Sequence, residues 1–212
     1  MTQFRAWKGR KLLGMERDFD YALKGTEWRK ERIIRRHCGP GCCLDLACGP
    51  GEYGPILQDV CGEVWGLDIE QALLDQAEET GSYARLVRES ITDRIPFEDN
   101  AFTNLWASEI LEHFPDLGIV DEFERIATTN ILITVPNPIS PHFKEDETHI
   151  LEYSVASFQQ AFGARKKFRY SVQGLGFNEI PLNLPLRKLS TLILQYIPKY
   201  SPTIAVIGRA TT

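Results

Sequence analysis

The sequence predicts an α/β protein built on a doubly wound, mostly parallel sheet with helices on both faces. Three observations predict it. Short apolar runs of strand length alternate with helix-length segments along most of the chain. The first run, Cys42 to Leu46, breaks into a glycine-rich turn that leads into a helix, the usual opening of a parallel αβ unit. The run Ile131 to Val135 is apolar and largely β-branched, as expected of a strand buried on both faces.

The elements follow in order. Residues 16–37 read as a helical lead-in, with Phe19, Leu23, Ile33 and Ile34 as its apolar contacts and Gly25 as an interruption. Gly39-Pro40-Gly41 ends it. Strand 42–46 follows, then a helix over 52–60, a strand over 64–68, a helix over 70–79 and a strand over 84–88. Residues 103–107 form the next strand. Leu117, Val120, Phe123 and Ile126 then recur at helical spacing, which predicts a helix over 116–128. Strand 131–135 is stopped by Pro136-Asn137-Pro138. The loop 136–149 is long enough to suggest a functional role. Ser154 is placed to cap a helix over 154–162. Strands 168–172 and 203–208 close the chain. Between them lies 174–202, rich in Leu, Ile and Pro, which reads as a cover on the sheet edge or as a lid with an apolar wall. The expectation is one domain over 1–212, with 1–41 as a helical N-terminal extension.

Composition narrows the class. The chain has 212 residues, 43% hydrophobic and 25% charged, which suits a single globular core. No apolar run approaches the ~20 residues of a membrane span, and the N-terminus lacks the apolar stretch of a signal peptide. Five cysteines without paired Cys-x-x-Cys spacing argue for buried free thiols and a cytoplasmic location, not for zinc or disulfides. The net charge of −5 favours a small-molecule partner over nucleic acid. Two basic runs, Arg29 to Arg36 and Arg165 to Arg169, keep an RNA acceptor as the second reading, although solvated faces explain them. Oligomeric state is not readable.

The chemistry concentrates at Cys43-Leu-Asp-Leu-Ala-Cys-Gly-Pro-Gly-Glu-Tyr-Gly54 and at Asp68, which ends the run Val64-Trp-Gly-Leu. Gly49 to Gly54 fits G-x-G-x-x-G, the pattern of a dinucleotide site, and an NAD-dependent oxidoreductase is therefore one alternative. The acids argue against it. Asp45 at the loop entrance and Glu52 at the helix start would repel a pyrophosphate. A nucleoside carrying positive charge fits better, and S-adenosylmethionine, with its sulfonium, ammonium and ribose diol, is such a ligand. A non-catalytic cofactor-binding protein is the alternative outside enzymes.

Four motifs then fall in order: Leu44-Asp-Leu-Ala-Cys-Gly-Pro-Gly51, Val64-Trp-Gly-Leu-Asp68, Ile95-Pro-Phe-Glu-Asp-Asn-Ala-Phe102 and Ser108-Glu-Ile-Leu-Glu-His113. Together they resemble a class I S-adenosylmethionine-dependent methyltransferase of the type 11-like group, over about Leu44 to Thr134 and more loosely beyond. The resemblance implies a Rossmann-like seven-stranded sheet whose last strand, 203–208, runs antiparallel. It implies that Asp45, Ala47, Gly49 and Gly51 line the methionine end of the cofactor and that Ser108 is a further cofactor-binding residue. Asp68 would hold the ribose hydroxyls and Ile69 would pack on the adenine. Ser90 and Ile91 stand where the family often has an acid and an apolar residue. Ser90 departs from that pattern, and Asp93 is the nearby substitute. The expected reaction is methyl transfer to a hydroxyl of a small molecule of sugar, lipid or polyketide type.

A last resemblance concerns metal. Glu109-x-x-Glu112-His113, followed by Thr148-His149, is similar to the metal site of small-RNA 2′-O-methyltransferases and of ubiquinone-pathway O-methyltransferases. On a helical turn Glu109, Glu112 and His113 would share one face. With His149 they would offer two carboxylates and two imidazoles to a divalent metal. Glu109, His113 and His149 are accordingly the candidate catalytic residues, His113 serving as base if no metal is used. Asn137 and His142 are further polar residues expected at the same sheet edge.

Overall fold

The computed structural model describes residues 28–212 apart from 92–93, 141–142, 144–145, 152, 176–188, 190–191 and 212. Residues 16–27 of the expected lead-in helix, with Phe19, Leu23 and Gly25, lie outside the described residues, as do Asp93, His142 and most of 174–202.

Helix α1 (Trp28–His37) leads into β1 (Gly41–Leu46), α2 (Gly54–Cys61), β2 (Gly62–Asp68), α3 (Gln71–Glu79) and β3 (Arg85–Arg88). β4 (Phe102–Ser108) is followed by a short 3-10 turn at Leu111–His113, then by α4 (Ile119–Ile126) and β5 (Ala127–Pro136). The chain ends with α5 (Val155–Gly163), β6 (Phe168–Gly174), a 3-10 turn at Pro198–Tyr200 and β7 (Thr203–Ala210). The seven strands form one sheet in the order β3-β2-β1-β4-β5-β7-β6. β1 to β5 pair in parallel, and β7 runs antiparallel to both β5 and β6. The antiparallel last strand is thus as the family resemblance implied.

Strand periodicity of two splits the core into two layers. Leu44, Leu46, Leu105, Ile131 and Ile133 face Phe123 of α4 and Phe158 of α5. Cys43, Val64, Trp106 and Leu132 face Ile34 of α1 and Leu57 of α2. Because both faces are covered, the central strands read as nearly continuous apolar runs. Trp106 is fully buried and meets Tyr53 edge-on, with ring centroids 5.2 Å apart. All five cysteines are free thiols.

Two boundaries differ from the sequence expectation. The predicted helix 116–128 occupies only Ile119–Ile126, because Ala127 already pairs with Phe102 and starts β5. Asp116 accepts the Gly118 amide at 2.7 Å, so it sits before the helix and not within it. Likewise α2 begins at Gly54, where Pro55 fixes the first turn, and leaves Glu52 in the preceding turn.

Asn104 clamps the start of the sheet. It is fully buried in β4. Its amide donates to the Gly39 carbonyl at 2.8 Å, and its oxygen accepts from Asn130 at 2.9 Å and from the Gly39 amide at 3.3 Å. Asn104→Leu should therefore cost about 1–3 kcal/mol, the scale of leaving such partners unsatisfied. Urea unfolding checks this against exposed Arg169→Ala, for which a change within about 0.5 kcal/mol is expected.

Candidate active site

The parallel register brings several loops to one edge. Leu46 of β1 stands opposite Leu67 of β2 and Ala107 of β4, so Asp68, the loop after β1 and Ser108 all emerge together. That carboxyl edge is where ligands collect in open α/β sheets.

The loop after β1 turns through positive φ at Ala47 (56°), Gly49 (53°) and Gly51 (84°). At Gly51 the turn needs glycine twice over. A Cβ there would lie 3.0 Å from the Ala77 backbone of α3. At Gly49 a Cβ would meet nothing within 4 Å, so the loop's outer side is open. Two interactions fix the loop to β2. The Cys48 amide donates to the Leu67 carbonyl at 3.0 Å, and the Gly49 amide donates to Asp68 Oδ2 at 2.8 Å. Asp68 Oδ1 accepts the Glu70 amide at 3.0 Å, where α3 begins. Each Asp68 oxygen thus carries one amide and keeps a second lone pair. Beside it Ile69 leaves its apolar side chain partly exposed. Ser90 and Ile91 follow the end of β3 and are half-buried, and the Ser90 amide donates to Glu89 Oε1.

Asp45 is buried beneath the loop and accepts the Tyr83 hydroxyl at 2.6 Å. Burial pushes its carboxyl up to about 7 against the pull of the Tyr83 hydrogen bond, and the nearby acids Asp68 and Glu52 push the same way. Tyr83 was not legible as a site residue. It stands between α3 and β3, 38 residues from its partner, with no motif around it.

A second cluster departs from expectation. Part of the basic run on α1 was expected to be solvated, yet Arg29 and Lys30 are buried. Lys30 Nζ lies 3.0 Å from Glu109 Oε1 and 3.0 Å from Ser108 Oγ. It also sits over the Tyr53 ring, 5.6 Å from the centroid. Burial alone would lower the Lys30 pKa, but Glu109 and Tyr53 outweigh it and hold the ammonium charged. Thr134 Oγ1 donates to the same Glu109 oxygen at 3.0 Å and meets Ser108 Oγ at 3.0 Å. The expected convergence of Glu109 with Glu112 and His113 on one helical face does not form. Glu109 has φ 53° and Ile110 has φ −129°, so the helical turn starts only at Leu111.

Glu112, His113 and His149 do come together, offering ligand atoms within 4.8 Å of one another. The loop after β5 closes on the turn after β4. Ile150 and Leu151 donate their amides to the Glu112 carbonyl at 3.0 and 3.1 Å. Glu112 is buried, and its Oε2 has no hydrogen-bond partner among the described residues. Burial and the Glu109 charge hold its carboxyl well above the usual range. His113 Nδ1 faces the Thr148 carbonyl at 3.2 Å, and His149 Nδ1 faces the Phe143 carbonyl at 3.0 Å. A carbonyl only accepts, so both rings carry their proton on Nδ1 and turn an Nε2 lone pair elsewhere. Burial and the neighbouring His149 lower the His113 pKa and keep the ring neutral. Asn137 follows the end of β5, on the expected sheet edge, but is turned inward. It is buried and donates to the carbonyls of Ser201 and Pro198 at 2.7 and 3.2 Å, fastening β5 to the approach of β7.

Comparison with known proteins agrees with the fold. Residues 44–130 match the family model described as a methyltransferase domain. No curated protein matches the chain by sequence. Similar solved structures include a chain of the Haloferax volcanii complex between the Trm112 methyltransferase activator and its provisional methyltransferase. It is 18% identical with a TM-score of 0.70, over 91% of this chain and 93% of that one. An S-adenosylmethionine-dependent methyltransferase from Archaeoglobus fulgidus is 17% identical with a TM-score of 0.57, over 90% and 97%. One from Mesorhizobium loti is 16% identical with a TM-score of 0.60, over 89% and 99%. Residues 44–130 thus carry the sequence pattern of a methyltransferase domain, and the solved structures share the fold over most of the chain. No helix among the described residues is long and apolar enough to cross a membrane.

Asp45 yields a pH prediction. Its carboxyl holds a proton from the ordinary value of 3.8 up to about 7 in the fold. The native state therefore binds more protons than the unfolded state in that window, and this group's contribution to stability falls as pH rises through it. A cationic ligand prefers the ionised form, so affinity for S-adenosylmethionine should climb as pH rises through about 7. Calorimetry between pH 6 and 8 checks this, and Asp45→Asn should flatten the climb.

Proposed function

We propose that the chain methylates a hydroxyl oxygen of a small-molecule acceptor, using S-adenosylmethionine as donor and a divalent cation held by Glu112, His113 and His149. The observation that carries the reading is the pair of buried carboxylates, Asp45 and Asp68, on either side of a glycine loop with open space above Gly49. Asp68 directs its remaining lone pairs to the ribose diol. Asp45, with Ala47, Gly49, Gly51 and Ser108, takes the ammonium end of the methionine. Ile69, Ser90 and Ile91 flank the adenine.

The metal reading is supported by the residues themselves. Glu112 Oε2 is a buried acceptor without a partner among the described residues, and two imidazoles are oriented by carbonyls as metal-bound imidazoles commonly are. One carboxylate and two imidazoles suit Mn²⁺ or Zn²⁺ and accommodate Mg²⁺. When bound, the cation would supply Lewis acidity that lowers the acceptor hydroxyl pKa. The donor sulfonium is already activated, so the chain's own task is to orient the acceptor oxygen and exclude water. Glu109 takes no place in this ligand set. Paired with Lys30 and Thr134, it presents a fixed charge beside Ser108 at the methionine end.

Two outcomes test the reading. S-adenosylmethionine should bind in calorimetry and NAD should not, and Asp68→Ala should weaken binding by roughly 1–3 kcal/mol. Tight NAD binding with none for the methyl donor would overturn the assignment of the donor site. Elemental analysis of the purified protein should find a divalent metal that is lost in His149→Ala. Chelation should abolish methyl transfer while leaving cofactor affinity unchanged. Full activity after exhaustive chelation would remove the metal and leave His113 Nε2 as the proton acceptor.

A further inference from the structure

The segment before β7 turns an apolar face outward. Leu189, Leu192, Ile193, Tyr196, Ile197 and Tyr200 recur at i, i+3, i+4, i+7, i+8 and i+11. Their exposure runs from 39% at Ile197 to 81% at Tyr196. The opposite side holds the segment in place. Leu194 and Pro198 are buried, and the chain passes so close to the end of β6 that a Cβ on Gly174 would lie 2.3 Å from the Leu194 carbonyl oxygen. Asn137 binds the carbonyls of Pro198 and Ser201 from the other flank. The outward face is therefore fixed by contacts behind it. Scattered exposed apolar residues are ordinary, but six exposed within one short segment mark an interaction surface.

Charge selects the occupant. The chain carries a net charge of −5, yet no acid follows Glu179. Gln195 shares a cleft with Arg32 and Arg36 of α1, and Lys199 is exposed over the Tyr200 ring, 4.7 Å from its centroid. A second copy docking through this face would set like charges against each other in an isologous contact. An apolar face rimmed by Arg and Lys, with two tyrosines at its border, matches the interface of an anionic lipid bilayer.

We propose that Leu189, Leu192, Ile193, Tyr196, Ile197 and Tyr200, with Arg32, Arg36 and Lys199 beside them, form a surface that docks on anionic membranes. Pro136 at the end of β5 and Ser108 at the end of β4 lie on the same sheet edge as this surface. Docking would thus turn the proposed acceptor site toward the bilayer, and the acceptor class becomes a hydroxylated amphiphile drawn from it. This last step rests on the function proposed above, whereas the docking itself does not.

The test is sedimentation of the full chain with vesicles of phosphatidylcholine alone or mixed with phosphatidylglycerol. Affinity about tenfold or more higher for the anionic vesicles is expected, falling with salt. Ile193→Glu with Tyr196→Glu should lower it by at least about tenfold, as should Arg32→Glu with Arg36→Glu. Tyr200→Ser, a milder change, should give a smaller loss. Calorimetry with S-adenosylmethionine on every variant reports whether the donor site is intact. Equal binding to both vesicles, binding unchanged in the first double variant, or a dimer that this variant dissociates would overturn the docking surface. Binding to RNA that survives the apolar substitutions, with no binding to vesicles, would overturn it too. Failure of the unaltered chain to bind S-adenosylmethionine would count against the proposed function alone.

Discussion

Parallel pairing of β1 between β2 and β4 is the constraint on which the site depends. Parallel ladders align strand ends as well as strand directions. With Leu46 opposite Leu67 and Ala107, three loops are delivered to one edge within a few ångströms of depth. The pairing is stabilised by burial on both faces, since Leu44 and Leu46 serve one layer while Cys43 serves the other. A slip of one residue would exchange those faces. It would also turn Asp45 away from Tyr83 and separate Asp68 from the Gly49 amide. Core packing and ligand geometry are thus the same constraint seen at two levels.

On this frame the acids are used in contrasting ways. Asp68 is held by two backbone amides, which settle its orientation before any ligand arrives. Asp45 is deeply buried with one phenolic partner, so desolvation dominates and its charge depends on what binds. Glu109 is neutralised by Lys30. Glu112 meets His149 Nε2 only at 3.9 Å and, among the described residues, keeps an unpartnered oxygen in the interior. An acid in that state is costly unless something positive completes it, and the two oriented imidazoles nearby give the same indication. Side by side, the four carboxyls differ in what holds them: backbone amides, a phenol, an ammonium and two nearby imidazoles.

Helix α1 links the donor site to the rest of the molecule. Its inner face packs Ile33 and Ile34 on the sheet, and its Lys30 closes on Ser108 and Glu109. Its outer face presents Arg32 and Arg36 next to the segment that precedes β7. One short helix therefore reaches Ser108 and Glu109 on one side and borders the segment before β7 on the other.

Local patterns in the chain were sufficient for the α/β alternation, for β5 as a buried strand and for the glycine loop between two acids. Each depends on residues within a few positions of one another, where periodicity and turn chemistry operate. The antiparallel β7 came from the family resemblance, and no local pattern reveals a strand's direction. The sequence also brought Glu109, Glu112, His113 and His149 under consideration as a set, and the fold places ligand atoms of the last three together while Glu109 pairs with Lys30. That arrangement rests on a backbone reversal at Glu109 and on a lysine 79 positions earlier in the chain, neither visible as spacing. Tyr83 beneath Asp45 and the outward turn of the apolar side chains at 192–193 and 196–197 are likewise tertiary outcomes. Spacing declares that a segment is apolar, while which side it buries is settled by what packs behind it: here the end of β6 and the side chain of Asn137.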